Sequence, residues 1–174
     1  AKALAALICA ESVPEVKAVK LPCEEKFGIR SYQQGHLLLV SHGCFRATFS
    51  TIHHDCQAPH TANSGGSMNL LYHDKYGILC AATSAEYIPT EPLNQQYLRK
   101  ADNPPSMTAQ FVVGGQQACR DRSAKLTYED SKVMATAEKW QACYSFEGDA
   151  LKISLNCGDG VYNLPIVCRK DQKV

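Results

Sequence analysis

The 174-residue chain contains no Cys-x-x-Cys pair, which excludes zinc-ribbon and thioredoxin-like arrangements. It has no Asn-x-Ser/Thr sequon either. Asn63, Asn69, Asn94, Asn103, Asn156 and Asn163 all fail the pattern, so N-glycosylation is not expected. Charge of one sign is scarce: the formal net charge is +1 and no run of five like charges occurs. That balance argues against a broad nucleic-acid or membrane-surface interaction. No apolar stretch approaches the length of a transmembrane helix. A Gly-x-Ser-x-Gly elbow, a His-Glu-x-x-His pair and a P-loop are all missing. Gly114-Gly115 lacks a phosphate-loop context and reads as a strand end. Glu24 and Glu25 are adjacent, so in regular structure they do not face one another as an acid/base pair. No motif calls for a cofactor.

What is abundant is cysteine and apolar surface. Apolar residues make up 45% of the chain, enough for the core of one ordinary domain or two very small ones. The nine cysteines are Cys9, Cys23, Cys44, Cys56, Cys80, Cys119, Cys143, Cys157 and Cys168. Wide, irregular spacing of this kind suggests a disulfide framework in an oxidising compartment. The odd count makes one cysteine special. Residues 1–10 place Lys2 before a short apolar run ending in Ala10, followed by polar residues, as at the end of a signal peptide. A short buried or amphipathic N-terminal helix is the alternative. With Cys9 set aside, the other eight make about four disulfides, and the product is expected to be secreted and extracellular.

The segment 87–106 carries Pro89, Pro92, Pro104 and Pro105, holds no cysteine, and reads as an exposed loop or linker. It separates a first half (11–86) from a second (107–174), with four of the eight cysteines in each. The halves either are separate units or pack as one domain. Gly66–Cys80 and Gly148–Cys168 both read as strand, turn, strand, cysteine; chance similarity accounts for this more simply than a duplication.

Strands are expected at 36–41 and 44–52, joined at His42-Gly43, with Phe45, Ala47, Phe49 and Thr51 on one face. Others are expected at 68–72 and 76–82 about His73-Asp74-Lys75, and at 110–113. The alternation of Leu151, Ile153 and Leu155 is followed by a turn at Gly158-Asp159-Gly160 and a returning strand over 161–167. A helix is expected after Asp130 or Ser131, because Val133, Met134, Ala137, Trp140 and Tyr144 recur at helical spacing. Weaker helical signals lie at 31–35 and 13–20. The expected fold class is α+β: an antiparallel sheet with one or two packed helices, tied by about four disulfides.

Two constellations carry candidate chemistry. His53, His54 and His60 lie near Asp55 and Cys56, a set that suits zinc or copper if the thiol is reduced. An oxidised Cys56 leaves a solvated loop with incidental histidines. Arg99 and Lys100, with Tyr97 nearby, sit in the Pro-flanked segment, where a loop between rigid flanks suits insertion into a protease cleft. A processing site or a plain linker is the alternative. His36, His42 and His73 read as turn or strand-surface residues.

From Cys23 to Cys168 the chain resembles the secreted cysteine-rich effectors of plant-pathogenic fungi: small, with eight paired cysteines and no cofactor motif. Lys152–Asn156, the Gly-rich turn and Val161–Cys168 are similar to the C-terminal hairpin of fungal guanyl-specific ribonucleases. In that family the hairpin carries a catalytic Arg and His; Lys152 and Cys168 stand there instead, which implies an enzyme-dead relative. Two-unit killer-toxin-like folds are a further resemblance, carried only by the four-and-four cysteines. These resemblances imply a non-enzymatic protein acting on a host partner, such as an inhibitor of an extracellular protease. The alternatives are a secreted ribonuclease-like hydrolase and a His-based metal-binding protein.

Overall fold

The computed structural model describes residues 24–51, 65–81, 87–90, 95–98, 109–117 and 121–167. Among them there is no α-helix; one 3-10 turn occurs at Gln33–Gly35 and nearly everything else is antiparallel strand. The first sheet is a five-stranded meander of β1 (Gly28–Tyr32), β2 (Leu37–His42), β3 (Phe45–Ser50), β4 (Ser67–His73) and β5 (Gly77–Ala81). Two short strands, β6 (Tyr87–Thr90) and β7 (Gln95–Leu98), pair within the Pro-rich segment. Next come β8 (Gln110–Val113) and β9 (Gln116–Gln117). A second meander follows, four-stranded: β10 (Lys125–Glu129), β11 (Lys132–Thr136), β12 (Gln141–Glu147) and β13 (Ala150–Asn156). β14 (Val161–Asn163) then pairs with β8, completing a three-stranded sheet with β9.

Period-two patterning builds both meanders. On β3, Phe45, Ala47 and Phe49 are buried and alternate with Arg46, Thr48 and Ser50. Such alternation turns one face of a strand inward. On β12, Ala142, Tyr144 and Phe146 point inward, and on β11 Val133 and Ala135 do. The two inner faces meet as a sandwich. Phe49 lies 4.8 Å from Tyr144 between ring centroids, and Phe45 packs edge-on to Phe146 at 6.0 Å. Phe49 is fully buried at the centre of this contact.

The hairpin turns follow local chemistry. Gly114-Gly115 joins β8 to β9, and both residues have positive φ, as a two-residue loop matched to sheet twist requires. The β2–β3 turn, Gly43-Cys44, abuts the β12–β13 turn at Gly148: the Cys44 thiol reaches the Gly148 carbonyl at 3.4 Å. Gly43 has φ +55, and a Cβ there would lie well inside van der Waals contact distance of the Gly148 oxygen. The sandwich is therefore shut at this end by two turns pressed together.

The expected α+β class is thus corrected to an all-antiparallel sandwich. The expected helix after Asp130 is the β11–β12 hairpin. Asp130 and Ser131 are not a helix cap; they form the two-residue loop between β10 and β11, with Asp130 at φ +49. The apolar residues on each strand satisfy a period of two as well as of 3.6, and burial against β3 decides for two. The signal at 31–35 becomes the end of β1 and the 3-10 turn at Gln33–Gly35. The framework of about four disulfides is also corrected: Cys44, Cys80, Cys143 and Cys157 are free thiols. Cys9, Cys23, Cys56, Cys119 and Cys168 lie outside the described residues. The strand expected to return over 161–167 does so only at β14, and it pairs with β8 rather than β13. Lys152 and the following strand consequently belong to different sheets, so the ribonuclease-like hairpin is not formed.

A polar pair, buried Tyr144 and half-buried Tyr162, joins β14 to the core. The hydroxyls of Tyr144 and Tyr162 are 3.0 Å apart. Burial, offset in part by this hydrogen bond, pushes Tyr144 up to about 12, and burial with the neighbouring Tyr144 raises Tyr162 strongly. Burial likewise raises the Cys80 thiol.

Candidate functional site: a groove at the open end of the sandwich

β2 and β3 run between the shut end at Gly43 and an opposite end at Leu37 and Thr51. With six residues in β2, the two ends are roughly 20 Å apart. At the far end the sheets part and leave a groove of ≈ 780 Å³. This is within the size range of ligand clefts. One wall comes from the first sheet: Tyr32, Gln33, His36 and Thr51. The other comes from the second: Arg122, Ser123, Lys125, Thr136 and Glu138.

Local bonding fixes each wall. The 3-10 turn ends on His36, held at φ 50, whose N–H donates to the Gln33 carbonyl at 3.1 Å. The Thr51 N–H then donates to the His36 carbonyl at 3.0 Å, and the Thr51 hydroxyl lies 3.4 Å from His36 Nδ1. These bonds tie the turn to the end of β3 and leave Tyr32 at the rim, 49% exposed. On the other wall, the Asp121 carboxylate accepts from the Ser123 N–H at 2.8 Å and the Ser123 hydroxyl at 2.7 Å. Its second oxygen accepts from the Trp140 indole N–H at 3.2 Å. Trp140 is 5% exposed and rests against Gly66, where a Cβ would come within 3.0 Å of the indole ring.

The groove offers an aromatic face, amide, hydroxyl and imidazole hydrogen-bonding groups, and the cations Arg122 and Lys125. That set suits a sugar. The C–H face of a pyranose is apolar and packs on a phenol ring, while its hydroxyls need both donors and acceptors. Leu37, Leu38, Ala124, Leu126 and Ala137 add an apolar part to the lining.

Of the candidate residues taken from sequence, His53, His54, His60, Arg99 and Lys100 lie outside the described residues. Tyr97 falls on β7, paired with Ile88. Among the described residues no group of three or more His, Cys, Asp and Glu side chains converges as a metal site. His36, expected at a turn or on a strand surface, lines the groove, whereas His73 is buried beside Phe45 and Tyr76. Tyr32, Gln33, Thr51, Arg122 and Lys125 were not singled out from the sequence. An Asp-x-Ser turn at Asp121–Ser123 just before the alternating 125–129 run was the local signal available for one wall.

The architecture is an all-β sandwich with a groove of mixed polar and apolar lining, rimmed by Tyr32. Residues 29–116, just over half of the chain, match the family model of the ulvan lyase C-terminal domain, and the chain belongs to that family. It is also similar to the broad-specificity ulvan lyase of Formosa agariphila, 39% identical over 100 residues. That alignment covers 55% of this chain but 16% of the relative, so the chain spans a small part of that protein's length. No solved structure matches.

These matches overturn the resemblance to fungal effectors and to ribonuclease-like proteins. They also overturn the reading as a non-enzymatic virulence protein or protease inhibitor, because the family is that of a polysaccharide-cleaving enzyme. The expected host-protein partner gives way with it. The effector resemblance leaned chiefly on the cysteine count, with small size and the lack of a cofactor motif beside it.

Proposed function

We propose that the chain is the polysaccharide-engaging module of an ulvan-lyase-type enzyme, and that the groove between the sheets holds a stretch of the polymer. The observation that carries the reading is Tyr32, half exposed at the rim, faced across the groove by Arg122 and Lys125. Family membership supplies the polymer class, and the printed activity of the relative supplies ulvan as the first ligand to test. Lyase action on the polymer is part of the same proposal, since the relative is many times longer than its overlap with this chain. So is an extracellular location, where an enzyme meets a polymer too large to be taken up intact.

The test is affinity electrophoresis and titration calorimetry of the chain with purified ulvan. The chain is expected to be retarded by ulvan, and Tyr32→Ala to weaken binding about five- to tenfold, the scale of one lost aromatic contact. A chain that passes through ulvan gels unretarded would refute the reading.

A further inference from the structure

We propose that Asp121 is the positioning residue of the groove, acting through Arg122 and Ser123; this rests on the reading that the groove holds polysaccharide. Asp121 does not line the groove, but Arg122 and Ser123, the two residues after it, do. Residues 121–124 belong to no strand and form a turn at the rim. Without an anchor, a turn that presents an exposed Arg samples many conformations, and a ligand must freeze them at a cost in affinity.

One carboxylate supplies that anchor. Oδ1 takes both the N–H and the hydroxyl of Ser123, closing an Asx turn that sets the direction of Arg122. The same Ser123 hydroxyl accepts from the Glu138 N–H at 3.4 Å, which joins the rim to the β11–β12 loop, also on the groove wall. Oδ2 takes the indole N–H of Trp140, a buried side chain seated on Gly66 at the start of β4. The rim is thereby fixed to both sheets through one ionised group. Hydrogen bonds to a charged acceptor are the strong kind, and three of them converge here.

Trp140 is the single tryptophan of the chain, so its emission reports on this clamp without labels. Asp121→Ala is expected to shift Trp140 emission even without ligand and to weaken ulvan binding at least about fivefold. Asp121→Asn keeps an oxygen for Ser123 but turns an amide toward the indole N–H, so it is expected to fall between the two. The decisive readout is coupling. Arg122→Ala weakens binding in the wild-type background but changes it little once Asp121 is Ala, because the arginine is already unplaced.

Binding is measured below the melting onset of each variant; a merely structural role would lower Tm and leave the Kd of folded protein unchanged. If Asp121→Ala does not fold, Asp121→Asn and Ser123→Ala carry the same cycle. Wild-type affinity in a folded Asp121→Ala variant, or full additivity with Arg122→Ala, overturns the proposal. Failure of the wild-type chain to bind ulvan instead overturns the reading of the groove, while an emission shift in Asp121→Ala would still establish the clamp.

Discussion

The tyrosine pair gives the chain a defined alkaline limit. Tyr144 has an ordinary value of 10.0 and is held near 12 in the fold, chiefly because burial disfavours the phenolate. Tyr162 shifts in the same direction. A folded-state value raised above the unfolded one means that the folded state holds more protons between the two. Stability from the pair is therefore complete below pH 10 and is lost as pH climbs through 10 toward 12 and beyond. For Tyr144 alone the interval of about two pH units corresponds to about 2–3 kcal/mol, a large part of the stability of a small domain. The two hydroxyls titrate as one unit, so the loss belongs to the pair rather than to either ring. The perturbation is Tyr144→Phe combined with Tyr162→Phe, which removes both ionisable groups and both members of their mutual hydrogen bond. At pH 7 this exchange is expected to cost little, because replacing both members of a hydrogen-bonded pair with apolar groups of similar shape is nearly neutral. The assay is urea unfolding followed by circular dichroism from pH 8 to 12. Wild-type stability should fall steeply above pH 10 and the double variant should follow a visibly flatter course. Parallel curves for the two proteins would refute the assignment.

Two further outcomes follow from the fold. Gly43→Ala must adopt a left-handed backbone and push its methyl into the Gly148 carbonyl, so it should destabilise by about 2–4 kcal/mol in denaturant titration, whereas Gly115→Ala, with open space around it, should cost less. Among the described thiols, Cys80 is buried while Cys44, Cys143 and Cys157 are half-buried. Alkylation of the native protein followed by a second reagent after unfolding should mark Cys80 with the second label by peptide mapping.

Much of the first sheet was legible. Phe45, Ala47 and Phe49 alternate because β3 buries one face, and the loops at Gly43 and Asp74–Tyr76 carry turn residues. Of the second sheet, β13 was legible through the alternation of Leu151, Ile153 and Leu155, but β11 and β12 were not. Val133, Met134, Ala137 and Trp140 match helical spacing, and Asp130-Ser131 serves a cap as well as a turn. What removes the ambiguity is the partner face on β3, which no local window contains. The cysteines misled for a related reason: pairing needs Cα atoms within about 4.4–6.8 Å, and a count carries no distances. Four of the nine are free thiols, so the count by itself does not place the chain in an oxidising compartment. The groove was invisible because its walls come from segments before and after the β6–β7 pairing, and neither wall has a motif of its own.

The contact between Gly43 and Gly148 has a consequence for how such a module diversifies. The two turns that touch there leave no room for longer loops or larger side chains, so sequence change at that end is constrained by fit. At the other end the walls are a 3-10 turn, an Asx turn and the loop at Ala137–Lys139, all of which can be replaced without parting the sheets. Ligand preference can then drift, or be engineered by exchanging those three segments, on a scaffold whose register is fixed from the opposite pole.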